Sequence, residues 1–167
     1  MSEIEISPIV EFYKLDPCDS KQGKQQLVFG DQIQGKVSSH RKGIREALEK
    51  SKGIYIFYDS RGRAIYAGKT TKQNLWKEIN LAYNRNRGSV QKIRRTKQFV
   101  NNVEYKSHNG KERVISEYEA VIHELAHYVS VYHISSDDMI SPLEALIVRG
   151  FANDLLDKKM EKFAKNS

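Results

Sequence analysis

Cysteine is almost missing from this chain of 167 residues: Cys18 stands alone. A single thiol excludes an internal disulfide and any thiolate cluster for a metal, so a reducing, cytoplasmic setting is expected. Long apolar runs are missing as well, and no stretch approaches the roughly 20 residues that a membrane span requires. The opening residues carry Glu3 and Glu5, unlike the basic start of a secretion signal, so neither export nor a membrane partner is expected. There is no internal repeat and no low-complexity tract. Proline is scarce, and two of the three, Pro8 and Pro17, fall early, where with Gly23, Gly30 and Gly35 they break the apolar pieces into short lengths.

What the chain does contain is enough apolar material, 39% of residues, for one compact domain with a real core. Its formal charge of +7 favours a polyanionic partner over a neutral or acidic one. Residues 1–50 read as an N-terminal extension packing on the core, with a short helix over 41–50 that Gly43 weakens; 51–160 read as the functional domain and 161–167 as a tail.

The most informative stretch is 53–70. Ile54, Tyr55, Ile56, Phe57 and Tyr58 form a β-prone run, Asp59, Ser60, Arg61 and Gly62 supply turn chemistry, and Ala64, Ile65 and Tyr66 resume the extended pattern. A hairpin follows, with the Tyr55 and Tyr66 phenols on one face and Gly68 leaving room for a substrate backbone to approach. Beyond it, Leu75, Trp76, Ile79, Ala82 and Tyr83 recur at helical spacing over 71–86, and that face should pack on the hairpin. On the same wheel Arg87 falls beside Tyr83 and Trp76, whereas Arg85 points away.

Residues 85–113 carry Arg85, Arg87, Lys92, Arg94, Arg95 and Lys97, then Lys106, Lys111 and Arg113, against Glu104 and Glu112. Such a run can neutralise phosphates without reading sequence, or can simply be a solvated face. His123-Glu124-Leu125-Ala126-His127 is a literal zinc-protease motif, with His133 where a third ligand would stand. Three features oppose it. An apolar stripe of Ile115, Tyr118, Val121, Ile122, Leu125 and Ala126 puts both histidines on the polar face of a helix; Ser130 replaces the glycine of the return turn; and 128–134 reads as a strand that carries His133 away. Surface histidines on an amphipathic helix are the simpler interpretation. Further on, Ser141 and Pro142 have the chemistry of an N-cap and first helical residue. Glu144 then falls inside the apolar arc of Leu143, Leu146, Ile147, Val148 and Phe151, where a carboxylate is costly unless paired or metal-bound. A helix-start glutamate favoured by the dipole is the alternative.

The wording GIYIFYDSRGRAIYAGKT resembles the GIY-YIG nuclease superfamily, and within it is similar to the nuclease domain of the bacterial excision-repair incision subunit. The likeness is strong over 53–70 and looser beyond; Ala67 stands where the motif has isoleucine or valine. The resemblance implies an α/β (α+β) fold with a small, mainly antiparallel three-stranded sheet (53–58, 63–68, 128–134) flanked by helices. It implies a divalent-metal-dependent endonuclease with DNA as the expected partner. By resemblance, Tyr66 is the general base or water positioner, Tyr55 its support, Glu144 the protein ligand of Mg2+ or Mn2+, and Lys69 a phosphate or water contact. Asn153 echoes an asparagine near the metal. The family places an arginine about two turns after the glycine, but here that neighbourhood reads Trp76-Lys77-Glu78, the wrong sign. Restriction-enzyme members place it later, which nominates Arg87, with Arg85, Lys92, Arg94, Arg95 and Lys97 as nucleic-acid contacts. A phenol with a pKa near 10 is a poor base at neutral pH, so metal and cations must assist it. A binding module on the same fold that no longer cuts is the alternative that Glu78 suggests, and the zinc protease a third.

Overall fold

The computed structural model describes residues 4–23, 25–85 and 122–150, together with the backbone of 92–96 and 115–119. In chain order the elements are β1 (Ile6–Lys14), β2 (Cys18–Asp19), β3 (Gln26–Leu27), β4 (Gln32–Ile33), β5 (Lys36–Val37), α1 (Ser39–Lys50), β6 (Gly53–Tyr58), β7 (Ala64–Thr70), α2 (Leu75–Asn84), β8 (Lys92–Thr96), β9 (Ile115–Glu119), α3 (Ile122–Leu125), β10 (Tyr128–Ile134) and α4 (Asp137–Gly150). The class is α+β. No helix among the described residues is long and apolar enough to cross a membrane.

The hairpin forms through local chemistry. Asp59 Oδ1 accepts the amides of Arg61 and Arg63, both at 2.9 Å, and Gly62 takes the left-handed conformation (φ 76°) that its lack of a Cβ permits. The turn shifts the register, so Phe57 faces Tyr66 while Tyr58 faces Ala64. Every residue of β6 is buried, because this strand lies between β10 and β7 and both its faces are covered. That explains an apolar run without alternation.

The main sheet has four strands rather than three, in the antiparallel order β1-β10-β6-β7. The additional strand comes from the N-terminal extension. Alternation along β1 is broken by two register shifts, around Pro8 and Val10 and again before Tyr13, and Phe12 has φ 45°, so its pattern is not legible as a strand. The buried Ser130 hydroxyl accepts the Phe12 amide at 2.9 Å and holds the second irregularity in place.

Strand alternation sorts the side chains onto two faces. Tyr55, Phe57 and Tyr66 join Leu48, Leu75, Ile79 and Tyr83 on the face covered by α1 and α2. Ile54, Ile56, Tyr58 and Ala67 lie on the other face under Ile140 and Val148 of α4. Each fully buried large apolar side chain contributes about 1.5–3 kcal/mol relative to exposure. The extension is bound into the first layer: Val28 and Phe29 are core residues, and Asn80 and Asn84 of α2 bond the backbone of β3 and Val28 at 2.7–2.9 Å. Arg41, buried in α1, reaches Asp16 at 2.7 Å and the Gln32 carbonyl at 2.9 Å.

Four sequence expectations are corrected here. Helix α2 runs Leu75–Asn84, shorter than 71–86, because Asn74 caps it by accepting the Lys77 amide; its five expected apolar residues are all buried. The helix expected to carry the stripe from Ile115 to Ala126 is a strand over Ile115–Glu119 and a four-residue helix at Ile122–Leu125. Pairing with Lys92–Thr96 prevails over the helical spacing of Ile115 and Tyr118, a tertiary contact that the pattern of the segment does not announce. Helix α4 begins at Asp137, not at Ser141, so Pro142 lies inside it, where it lacks the amide to bond the Asp138 carbonyl. The buried positions of α4 are Ile140, Glu144 and Val148, and Leu146, assigned to the apolar arc, is exposed.

Candidate active site

The site is built around the Gly68–Lys69 end of β7, which is an edge strand of the sheet. Tyr55 faces Gly68 and Tyr66 faces Phe57 across the hairpin, so both tyrosines share a face, as expected from the sequence. Their ring centroids lie 6.1 Å apart. Gly68 has a different use from the one expected. A Cβ there would fall within the Tyr55 phenol, so the bare backbone accommodates this side chain and not an incoming substrate.

Tyr55 is fully buried, and its hydroxyl donates to Glu78 Oε1 at 3.4 Å. Burial first, then Tyr66 and the Glu78 carboxylate, hold this phenol well above its usual range, while the Arg85 guanidinium pulls it down. Glu78 also accepts from Gln73 Nε2 and lies 3.6 Å from Arg85 Nη2. The orientation read for Arg85 therefore changes. The helical wheel turned Arg85 away, but α2 ends at Asn84, and Arg85, as its C-cap, folds back on Glu78. A wheel extended past a helix end loses its meaning. Arg87 lies outside the described residues, as do Lys97 and Asn153.

A second group sits on the opposite face. Lys69 follows Gly68, so its side chain leaves on the α4 side. Its Nζ lies 3.2 Å from Glu144 Oε2 and donates to Ser141 Oγ at 2.8 Å. Glu144 is 5% exposed, one turn from both Ile140 and Val148, and its burial is made tolerable by the ammonium. The expectation that a carboxylate in this arc must be paired or metal-bound is met by pairing. The oxygens around Lys69 Nζ are also hard donors that fit a small divalent cation: one carboxylate and one hydroxyl, with the cation between them being at present an ammonium. Among the described residues no group of three His, Cys, Asp or Glu could hold a metal. Any ion here would depend on water and on substrate oxygens for its remaining ligands.

The zinc-protease constellation is not assembled. α3 ends at Leu125, so His127 lies beyond it and is exposed; His123 is half-buried against the Tyr83 ring, 5.8 Å between centroids, instead of lying on a polar face. His133 sits in β10 with Nδ1 3.1 Å from the Lys52 carbonyl, confirming that the strand carries it away.

In the basic stretch, the register sets Lys92 opposite Glu119 and Arg94 opposite Glu117, with Arg95 opposite Ser116. Acidic residues that lie beyond 113 in the sequence thus become cross-strand neighbours of two expected phosphate contacts. Glu78, Gln73 and Ser141 are the site residues the sequence did not nominate. Only Glu78 left a signal, as a negative charge where the resembling family has a positive one.

Compared with known proteins, the chain matches no family model, no curated protein and no solved structure.

Proposed function

We propose that the chain hydrolyses phosphodiester bonds in nucleic acid, DNA being the expected substrate, at the Gly68–Lys69 end of the hairpin. The observation that carries this reading is the convergence there of two tyrosines on one face and a buried carboxylate with its lysine on the other. The resemblance of 53–70 to GIY-YIG nucleases supplies the chemistry to which that arrangement corresponds.

In this reading Tyr66 orients the attacking water, and Tyr55, packed over Gly68, fixes the Tyr66 ring. Arg85, 46% exposed at the end of α2, offsets charge on the phosphoryl oxygens from the Tyr55 side, and Lys69 does so from the Glu144 side. Glu144, with Ser141 beside it, would hold Mg2+ or Mn2+, which when bound adds Lewis-acid stabilisation of the phosphoryl oxygens. The net charge of +7 draws the polyanion to the surface.

One observation favours a second reading, a binding module that does not cut. Tyr55 is fully buried, and the carboxylate on its hydroxyl stands where a phosphate would be repelled. The two readings separate on supercoiled plasmid incubated with Mg2+, Mn2+ or chelator, with Glu144→Ala, Tyr66→Phe and Arg85→Ala in parallel. Hydrolysis that requires metal and falls by about 10²-fold or more in each variant, with binding retained, supports the nuclease. Retardation of DNA by a folded wild type that never nicks DNA or RNA would leave the binding module standing.

A further inference from the structure

The Lys69–Glu144 pair is lopsided in a way that a purely structural ion pair has no need to be. The anion is fixed: Glu144 sits on the buried stripe of α4 between Ile140 and Val148, with 6% of its side chain exposed. The cation is wet: Lys69 is 30% exposed on a flexible four-carbon stem at the edge strand, and Ser141, its other partner, is exposed too. A carboxylate that cannot leave faces an ammonium that can. The position of Nζ, between a carboxylate and a hydroxyl oxygen and open to solvent, is a hard-cation position with a route of entry.

We propose that Lys69 is a resident counter-ion at the Glu144–Ser141 oxygen pair, and that a divalent cation and the Lys69 ammonium compete for this position. Two consequences belong to this chain's own residues. Ser141 is a second oxygen donor beside Glu144, a role separate from helix capping. Lys69, once displaced, has its charge released beside Gly68, on the strand that also carries Tyr66. The competition rests on reading Glu144 as the metal holder, and it is measured without nucleic acid so that its failure is distinct from failure of the nuclease assignment.

The test is titration of the full chain with Mn2+ alone, followed by the paramagnetic resonance of free Mn2+, with circular dichroism verifying the fold of each variant. Lys69→Met should tighten Mn2+ binding by about tenfold or more through removal of the competitor. Glu144→Gln in the Lys69→Met background should abolish binding, and Ser141→Ala in that background should weaken it several-fold. In the wild type, nitrogen NMR of the lysine ammonium groups should show the Lys69 resonance move toward those of exposed lysines as Mg2+ is added. This measurement stands if Lys69→Met does not fold. An Mn2+ affinity unchanged in folded Lys69→Met, or a Lys69 signal indifferent to Mg2+, would overturn the competition even if the protein cuts DNA. Tightened binding in a protein that cuts nothing would preserve the competition and remove the nuclease.

Discussion

Gly68 and Tyr55 show how one residue's identity depends on another across a hairpin. The phenol fills the space over Gly68, so Gly68→Ala must push the Tyr55 ring off Glu78 or move the edge strand. We expect a loss of about 3 kcal/mol, read as a lower midpoint in urea, with the overpacked ring as the cause. Tyr83 makes the opposite case. It is fully buried and its hydroxyl has no hydrogen-bond partner among the described residues, so Tyr83→Phe should leave stability unchanged or raise it by about 1 kcal/mol. Burial pushes this phenol from 10.0 up to about 12. The folded protein therefore keeps the proton to higher pH than the unfolded chain does. The associated stabilisation is complete below pH 10 and is lost as pH rises toward about 12. Denaturation midpoints measured between pH 9 and 12 should fall less steeply in Tyr83→Phe than in the wild type. At this scale the hairpin tyrosines and Glu144 were legible as candidates from residue type and spacing, and Lys69 from the resemblance alone. The contacts of Glu78, Arg85 and Ser141 were not, because each is made by a side chain folding back or reaching across to another element.

Elements were legible in proportion to how much of their energy is local. The β6–β7 hairpin and α2 follow from turn chemistry and from a five-residue apolar face; both formed, α2 with that face buried but with shorter bounds than expected. Helix α1 formed despite Gly43, as its buried positions Arg41, Ile44 and Leu48 keep helical spacing and Ser38 accepts the Arg41 amide at 3.3 Å. Gly43 is exposed, and a Cβ there would meet nothing within 4 Å. Gly43→Ala should accordingly stabilise the protein by about 0.5–1 kcal/mol, visible as a raised thermal midpoint, since the substitution lowers the entropy of the unfolded chain without strain in the helix. β1 and α4 escaped local reading. In β1 the two register shifts destroy the period of two, and in α4 a proline with every mark of a first helical residue lies one turn inside the helix. Local signals state what a residue tolerates; packing on the sheet decides where the element starts.

For the molecule as a whole, the first fifty residues are part of the architecture. β1 covers one edge of β10, Val28 and Phe29 lie in the core, and Asn80 and Asn84 hold β3 through its backbone. A chain truncated to 51–167 would expose the β10 edge and leave the buried Asn80 amide oxygen without its partner. We expect such a fragment to lack a cooperative thermal transition and to aggregate, as calorimetry and light scattering would report. A cooperative transition in the fragment close to that of the full chain would show that the extension is dispensable. The two candidate groups also exist only at this scale. The tyrosines depend on α2 for Glu78 and Arg85, Lys69 depends on α4 for Glu144 and Ser141, and the sheet between them brings both to one strand end.

The amino-acid sequence by itself determined the hairpin, the apolar face of α2 and the strand at 128–134, since each rests on residue identity and short-range periodicity; with the family resemblance it nominated Tyr55, Tyr66, Lys69 and Glu144 as candidates. Only the tertiary structure decided that a fourth strand joins the sheet, that Tyr55 occupies the space over Gly68, that Arg85 turns back on Glu78, and that α3 stops at Leu125, short of His127. These outcomes follow from contacts between elements distant in the chain and from where helices stop. Neither is encoded in the period of any one segment.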